Sequence, residues 1–330
     1  MGFQRQLTAD EIVEQVTRFS TYLKSSSSSA TSKPKSTEQS KPQRLSNVVF
    51  MGEGEPLANF KNVMEAVPRI QTLAGIGARK ITISTVGIVP NIRKLMSLPI
   101  QVRLAVSLHS ASDDERSALL PANRRYGGLK ELMTTLYEYI ETTGRRLTLE
   151  WALIEGKNDT PEVARQLGNL LLKYRLRRDM VHVNVIPLNP TGGYKGSASG
   201  KKRVDEFVRI LVEDFGVACT PRVRRGIDID AGCGQLKSKE MAEMNENNAA
   251  KNPHTFSVDS TTVDLDSDYF ATDDDIMDET FDSSDVARLK ALVKGTASTE
   301  ASSRKPEVQP CSPGCNTRFS SADWPSVKQL

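Results

Sequence analysis

From residue 47 to residue 223 the chain alternates short apolar runs with longer stretches of helical spacing, and this rhythm limits its fold more than any other feature. Residues 48–51 are an apolar run, as in a strand buried on both faces, and residues 80–85, 102–108, 147–154, 181–187 and 217–223 also read as strands. Residues 60–73, 90–96, 128–143 and 160–174, and part of 200–215, carry the apolar spacing of helices. Two of these helices have start signals: Pro90 at a first helical position, and Thr160 as a cap before Pro161. Strands alternating with helices of this length predict an α/β fold with a parallel sheet. Pairing neighbours in order, without exotic connections, closes such a chain into a partial TIM-type (β/α) barrel.

The chain opens with a helix over residues 7–24, with no strand before it. Thr8 and Glu11 form a capping-box pattern, and Ile12, Val13, Val16, Phe19 and Leu23 follow near helical spacing. Residues 25–46, SSSSSATSKPKSTEQSKPQRLS, have no apolar periodicity and are expected to be a disordered insertion. After Leu236 the rhythm ends. Residues 237–330 are expected to be an acidic, mostly disordered tail, with a short helix at most over 286–293. The expected organisation is therefore one incomplete barrel, 1–236, and a tail.

Charge follows the same division. The net +3 splits into 36 Lys and Arg against 25 Asp and Glu up to residue 240, and 8 against 16 beyond it. A basic body with an acidic tail suits a polyanionic partner, with RNA the first candidate, although ordinary surface charge gives the same sum. No apolar run approaches the roughly 18 residues of a membrane span, and MGFQRQLTADEI has no signal-peptide core. The four cysteines, at 219, 233, 311 and 315, are too sparse for a disulfide scaffold and suit a reducing compartment.

Chemistry concentrates where strands are expected to end. The first strand stops in Gly52-Glu53-Gly54-Glu55-Pro56, where glycines let the backbone turn and a ligand come close. Later strands end in Ser84-Thr85-Val86-Gly87, in Ser107-Leu108-His109-Ser110 and in Pro187-Leu188-Asn189-Pro190. The last runs into Arg222, Arg224, Arg225 and then Gly232-Cys233-Gly234. In parallel sheets ligands bind at this carboxyl end, and the polar set suits an adenosine-sized ligand. Each residue alone has a plainer use: Ser84 and Asn189 can cap helices, His109 can be structural, and Glu53 and Glu55 can be solvated. Cys233, between glycines and near two arginines, has the surroundings of a reactive thiol, whereas Cys219 reads as core filler. Cys311 and Cys315 cannot complete a tetrahedral metal site alone.

Five segments in order, GEGEPLAN (52–59), ITISTVGIVPNIRKL (81–95), LAVSLHSASDDERSALLPAN (104–123), NVIPLNP (184–190) and RRGIDIDAGCGQL (224–236), together resemble the RlmN/Cfr-like radical S-adenosylmethionine RNA methyltransferases. The resemblance implies a partial TIM-type barrel of the radical SAM type that holds S-adenosylmethionine and a [4Fe-4S] cluster. It implies that Gly54 and Glu55 bind the amino group of the cofactor's methionine part, where a carboxylate pairs with an ammonium. Ser84, Ser107, Leu108, His109 and Asn189 match the other cofactor contacts. Cys233 matches the cysteine that carries the methyl group on its way to C2 of adenine in large-subunit rRNA and tRNA. That carbon is not nucleophilic, which is why the family uses radical chemistry.

The sequence departs from the family in one respect: CxxxCxxC, whose cysteines hold the cluster, occurs nowhere in it. The family places that motif just before the segment matching residues 2–7, so the first barrel strand, the cluster loop, a second catalytic cysteine and the N-terminal RNA-binding domain are expected to be missing. Two readings follow. In the first the chain is a radical SAM adenine-C2 methyltransferase, inactive alone for want of the cluster ligands. In the second it is a non-catalytic, RNA-binding paralogue. A monomer is expected, without membrane association. The cytoplasm is the expected compartment, or a plastid if a targeting segment precedes residue 1.

Overall fold

The computed structural model describes residues 5–28, 44–51, 54–188, 196–222 and 281–302. Six strands, β1 (Val48–Phe50), β2 (Ile81–Thr85), β3 (Arg103–Ser107), β4 (Leu147–Leu153), β5 (Val181–Pro187) and β6 (Ala218–Pro221), pair in chain order. Every pairing is parallel, as the βα rhythm predicts. The crossovers are helices: α2 (Phe60–Ala74), α3 (Val89–Ser97), α6 (Gly128–Thr143), α7 (Pro161–Lys173) and α8 (Lys201–Arg209), which continues as a π-turn over Ile210–Asp214. Preceding them all is α1 (Ala9–Ser28), whose contacts are with α2. Its capping box forms as expected: Thr8 Oγ1 accepts from Glu11 N at 3.3 Å, and Glu11 Oε2 accepts from Thr8 N at 2.9 Å.

Alternation along each strand separates two faces. Ile81, Ile83, Leu104, Val106, Leu147, Leu149, Trp151, Val181 and Val183 are fully buried under the helices, and the Trp151 ring packs tilted against Phe207 of α8, with centroids 5.7 Å apart. The opposite face is polar. Ser84 lies beside Ala105, and Ser107, Glu150, Asn184 and Thr220 stand side by side in register across β3 to β6. This face is concave. Strands β1 and β6 lie at opposite ends of the order, five steps of about 4.8 Å and so roughly 24 Å apart in a flat sheet. Yet Arg222 Nη1, just past β6, is 3.9 Å from Sδ of Met51, just past β1. Only a strongly curved sheet allows that contact, so the polar face lines the inside of a partial barrel.

Three details differ from the sequence reading. The first helix runs on through Ser28, and Leu45 packs against the core, so both ends of the segment 25–46 are structured, while 29–43 lie outside the described residues. Two short helices, α4 (Asp113–Leu119) and α5 (Ala122–Arg125), fill the β3–α6 connection, where the apolar rhythm predicts no element. The short helix expected over 286–293 is longer: α9 (Ser283–Ser302) lies on α2. There Leu289 is buried, Phe281 meets Phe60 edge-on at 5.2 Å, and Arg288 pairs with Glu65 at 3.2 Å.

Candidate functional site

The site begins where β1 ends. Gly54 has φ +92°, a conformation natural to glycine, and it turns the chain so that the Glu55 side chain points back toward β2. Glu55 Oε1 accepts from Leu57 N at 2.9 Å and Oε2 accepts from Val86 N at 2.8 Å. Burial pushes the Glu55 pKa up, opposed by hydrogen bonds from the Val86 backbone, Thr85 and the Leu57 backbone. A carboxylate has about four acceptor positions, so two backbone donors leave capacity for an ammonium. The loop after β2 is itself held: Thr85 Oγ1 accepts from Gly87 N at 3.0 Å.

Ser84, on β2, and Ser107, at the end of β3, both open onto the concave face; Ser84 is buried and Ser107 partly so. Leu108 is different. Its side chain is fully buried, its N–H donates to Glu150 O at 3.0 Å, and its carbonyl accepts from Ser110 N at 2.7 Å. It fixes the direction of its neighbours. His109 has φ +59° and its Nδ1 accepts from Ala152 N at 3.0 Å. Burial and the charge of Arg116 lower its pKa to about 4. The ring is therefore neutral at pH 7, and with Nδ1 accepting, its proton sits on Nε2. His109 offers a ligand an N–H donor and is not a base. Asn189 and Cys233 lie outside the described residues. Cys219 is partly buried in β6 with its thiol pushed up to about 12, which suits core filler.

Three positioning residues escaped the sequence reading. Arg116 of α4 is buried and gathers two strand ends: Nη2 donates to Val86 O at 2.6 Å and to Ser107 O at 2.9 Å, and Nη1 donates to Asn123 Oδ1. Burial lowers its pKa to about 10, so it stays cationic at neutral pH. Asn158, also buried, donates to His109 O at 2.9 Å and Ala152 O at 2.8 Å and accepts from Ile154 N at 2.7 Å. It ties the β4 exit to His109. Glu150, in the middle of β4, is 3% exposed. Its place in the run LTLEWALI, a lone carboxylate in a buried strand, was the one available signal.

The chain is similar to known proteins. A dual-specificity RNA methyltransferase RlmN 1 from Myxococcus xanthus is 47% identical over 240 residues, covering 72% of this chain and 61% of the relative. The chain belongs to the RlmN family. A probable dual-specificity RNA methyltransferase RlmN 2 from Opitutus terrae is 42% identical over 261 residues, with 73% and 60% coverage. Among solved structures, a radical SAM methyltransferase from Sphaerobacter thermophilus superposes with a TM-score of 0.62 at 39% identity, over 71% of this chain and 63% of that one. The chain thus spans about six tenths of the length of these RlmN relatives. No model of a known family matches it. Among the described residues no helix is long and apolar enough to cross a membrane. No group of three or more His, Cys, Asp or Glu there could hold a metal ion.

Proposed function

We propose that the concave face binds S-adenosylmethionine and that the chain serves methylation of adenine C2 in rRNA and tRNA, with Cys233 carrying the methyl group. The observation that carries this reading is the placement of Glu55, Ser84, Ser107 and His109 at consecutive ends of one curved sheet. The donor set fits the cofactor. Glu55 takes the ammonium, the two hydroxyls and the His109 Nε2–H meet polar atoms of the remainder, and Gly54 keeps the entrance open. S-adenosylmethionine supplies the methyl group. The Cys233 thiolate, near Arg224 and Arg225 in sequence, accepts it as a nucleophile. The described residues do not fit an iron-sulfur cluster, since they offer no ligand set for one.

Titration calorimetry with S-adenosylhomocysteine tests the cofactor site. The chain binds it, and Glu55→Ala weakens binding about tenfold or more by removing a charge-assisted contact. Affinity rises with pH as Glu55 ionises, because its free carboxyl is held above the ordinary value and an ammonium pulls it back down. Failure of the unsubstituted chain to bind sinks the reading. Methyl incorporation into adenine of rRNA or tRNA, with the chain joined to a cluster-bearing segment of a relative, tests Cys233. Cys233→Ala is expected to abolish it, and full methylation by that variant means another route for the methyl. The alternative reading is a non-catalytic RNA-binding paralogue. RNA binding with no methyl transfer in that joined chain supports it.

A further inference from the structure

Glu150 has one oxygen in use and one free. Its Oε1 accepts from Asn184 Nδ2 at 3.0 Å, and Asn184 in turn hydrogen-bonds the His182 side chain. Its Oε2 is buried and has no hydrogen-bond partner among the described residues. A buried carboxylate oxygen left without a partner is costly to the fold, and such an atom in a native protein is commonly satisfied by something bound. The surroundings say where a ligand would lie. Glu150 stands in register between Ser107 of β3 and Asn184 of β5, on the concave face. Burial pushes the Glu150 pKa up, opposed by the hydrogen bond from Asn184 and by the positive charge of Arg222, both of which favour the ionised, accepting form. Glu55 is three strands away at the end of β1, roughly 14 Å along the sheet at about 4.8 Å per step. A ligand with an ammonium at one end and a nucleoside at the other spans that distance.

We infer that the free oxygen of Glu150 is a further cofactor-binding acceptor, taking an O–H or N–H donor from the nucleoside half of S-adenosylmethionine. This rests on the cofactor site proposed above. The donor is a ribose hydroxyl or the adenine amino group, which share the same hydrogen-bond chemistry. Asn184 holds the carboxylate by one oxygen, which leaves the other as the acceptor available to a ligand.

The test is Glu150→Gln. With its oxygen kept on Asn184, the glutamine presents an NH₂ where the carboxylate presented an acceptor, so the polarity toward the ligand reverses while shape is kept. Affinity for S-adenosylhomocysteine, read by calorimetry, is expected to fall about tenfold to a hundredfold, the range for a hydrogen bond to a charged group. Affinity for methionine alone stays unchanged. The thermal midpoint holds or rises, because a buried unpaired carboxylate is removed; a structural role would lower it instead. Analogues of S-adenosylhomocysteine lacking the 2′-hydroxyl, the 3′-hydroxyl or the adenine amino group complete the experiment. One of them loses affinity for the unsubstituted chain and is indifferent to Glu150→Gln, which identifies the donor. Should the variant fail to fold, the analogue series on the unsubstituted chain decides alone, and equal affinities throughout overturn the inference. Equal binding by Glu150→Gln overturns it while leaving the cofactor site standing. An adenosine-containing RNA that loses affinity in place of S-adenosylhomocysteine also overturns it, because Glu150 then serves the substrate. Failure of the unsubstituted chain to bind overturns both proposals.

Discussion

His109 shows how one residue is fixed by its neighbours. Its backbone has φ +59°, a conformation few residues other than glycine and asparagine adopt readily, and its ring accepts a backbone N–H from β4. The unfolded imidazole titrates near 6.5, but the folded one only near 4. Between those values the unfolded chain binds the extra proton. Stability therefore rises with pH across that window and is lost as pH falls from about 6.5 to 4, by about 3 kcal/mol at most. His109→Asn tolerates the backbone and places an oxygen near the Nδ1 position. The variant is expected to lose most of that drop, with a smaller part remaining from His182, whose pKa burial also lowers. A midpoint that keeps the same pH dependence assigns the acid loss to another group. Glu55 has the opposite sign: its carboxyl is raised in the folded state, so its contribution to folding weakens as pH rises.

At the scale of elements, packing sets limits that periodicity does not reveal. Helix α7 presents Gly168 to Phe215, and a Cβ there would overlap the aromatic ring. Alanine is the better helix former by about 1 kcal/mol, but forcing an extra methyl into a filled contact costs about 1–3 kcal/mol. Gly168→Ala is therefore expected to lower stability in urea unfolding, and Phe215→Leu in the same chain to restore part of the loss. A more stable Gly168→Ala alone removes this account of the contact. The same contrast explains what was legible. Strand β5 and helix α6 match their sequence-expected bounds because a strong apolar pattern runs the whole length of each. Glu55, Ser84, Ser107 and His109 were legible because strands visibly stop at them. Helices α4 and α5 were not: they are short, charged and separated by Pro121, and their order comes from Arg116 reaching Val86, thirty residues back. Arg116, Asn158 and Glu150 act through partners distant in sequence, which spacing along the chain cannot show.

Across the whole molecule the partial barrel and the tail carry opposite charge. Up to residue 240 the chain holds 36 basic against 25 acidic residues, and beyond it 8 against 16. The two regions are physically joined, since α9 lies on α2 with Leu289 buried and Asp285 Oδ2 3.6 Å from Lys61 Nζ. The sequence on the N-terminal side of α9 is rich in aspartate, and such charge repels the phosphates of the RNA proposed as substrate. Repulsion of this kind is long-ranged at low salt and is screened beyond about 10 Å at 0.1 M. Replacing Asp273, Asp274 and Asp275 together by asparagine removes three negative charges while leaving α9 and its contacts untouched. RNA affinity, measured by fluorescence anisotropy, is expected to rise roughly twofold or more at low salt. The gain should shrink as salt rises, because screening acts on the repulsion that the substitutions relieve. An unchanged affinity at low salt places the tail away from the RNA. A gain that persists at high salt assigns the effect to something other than charge.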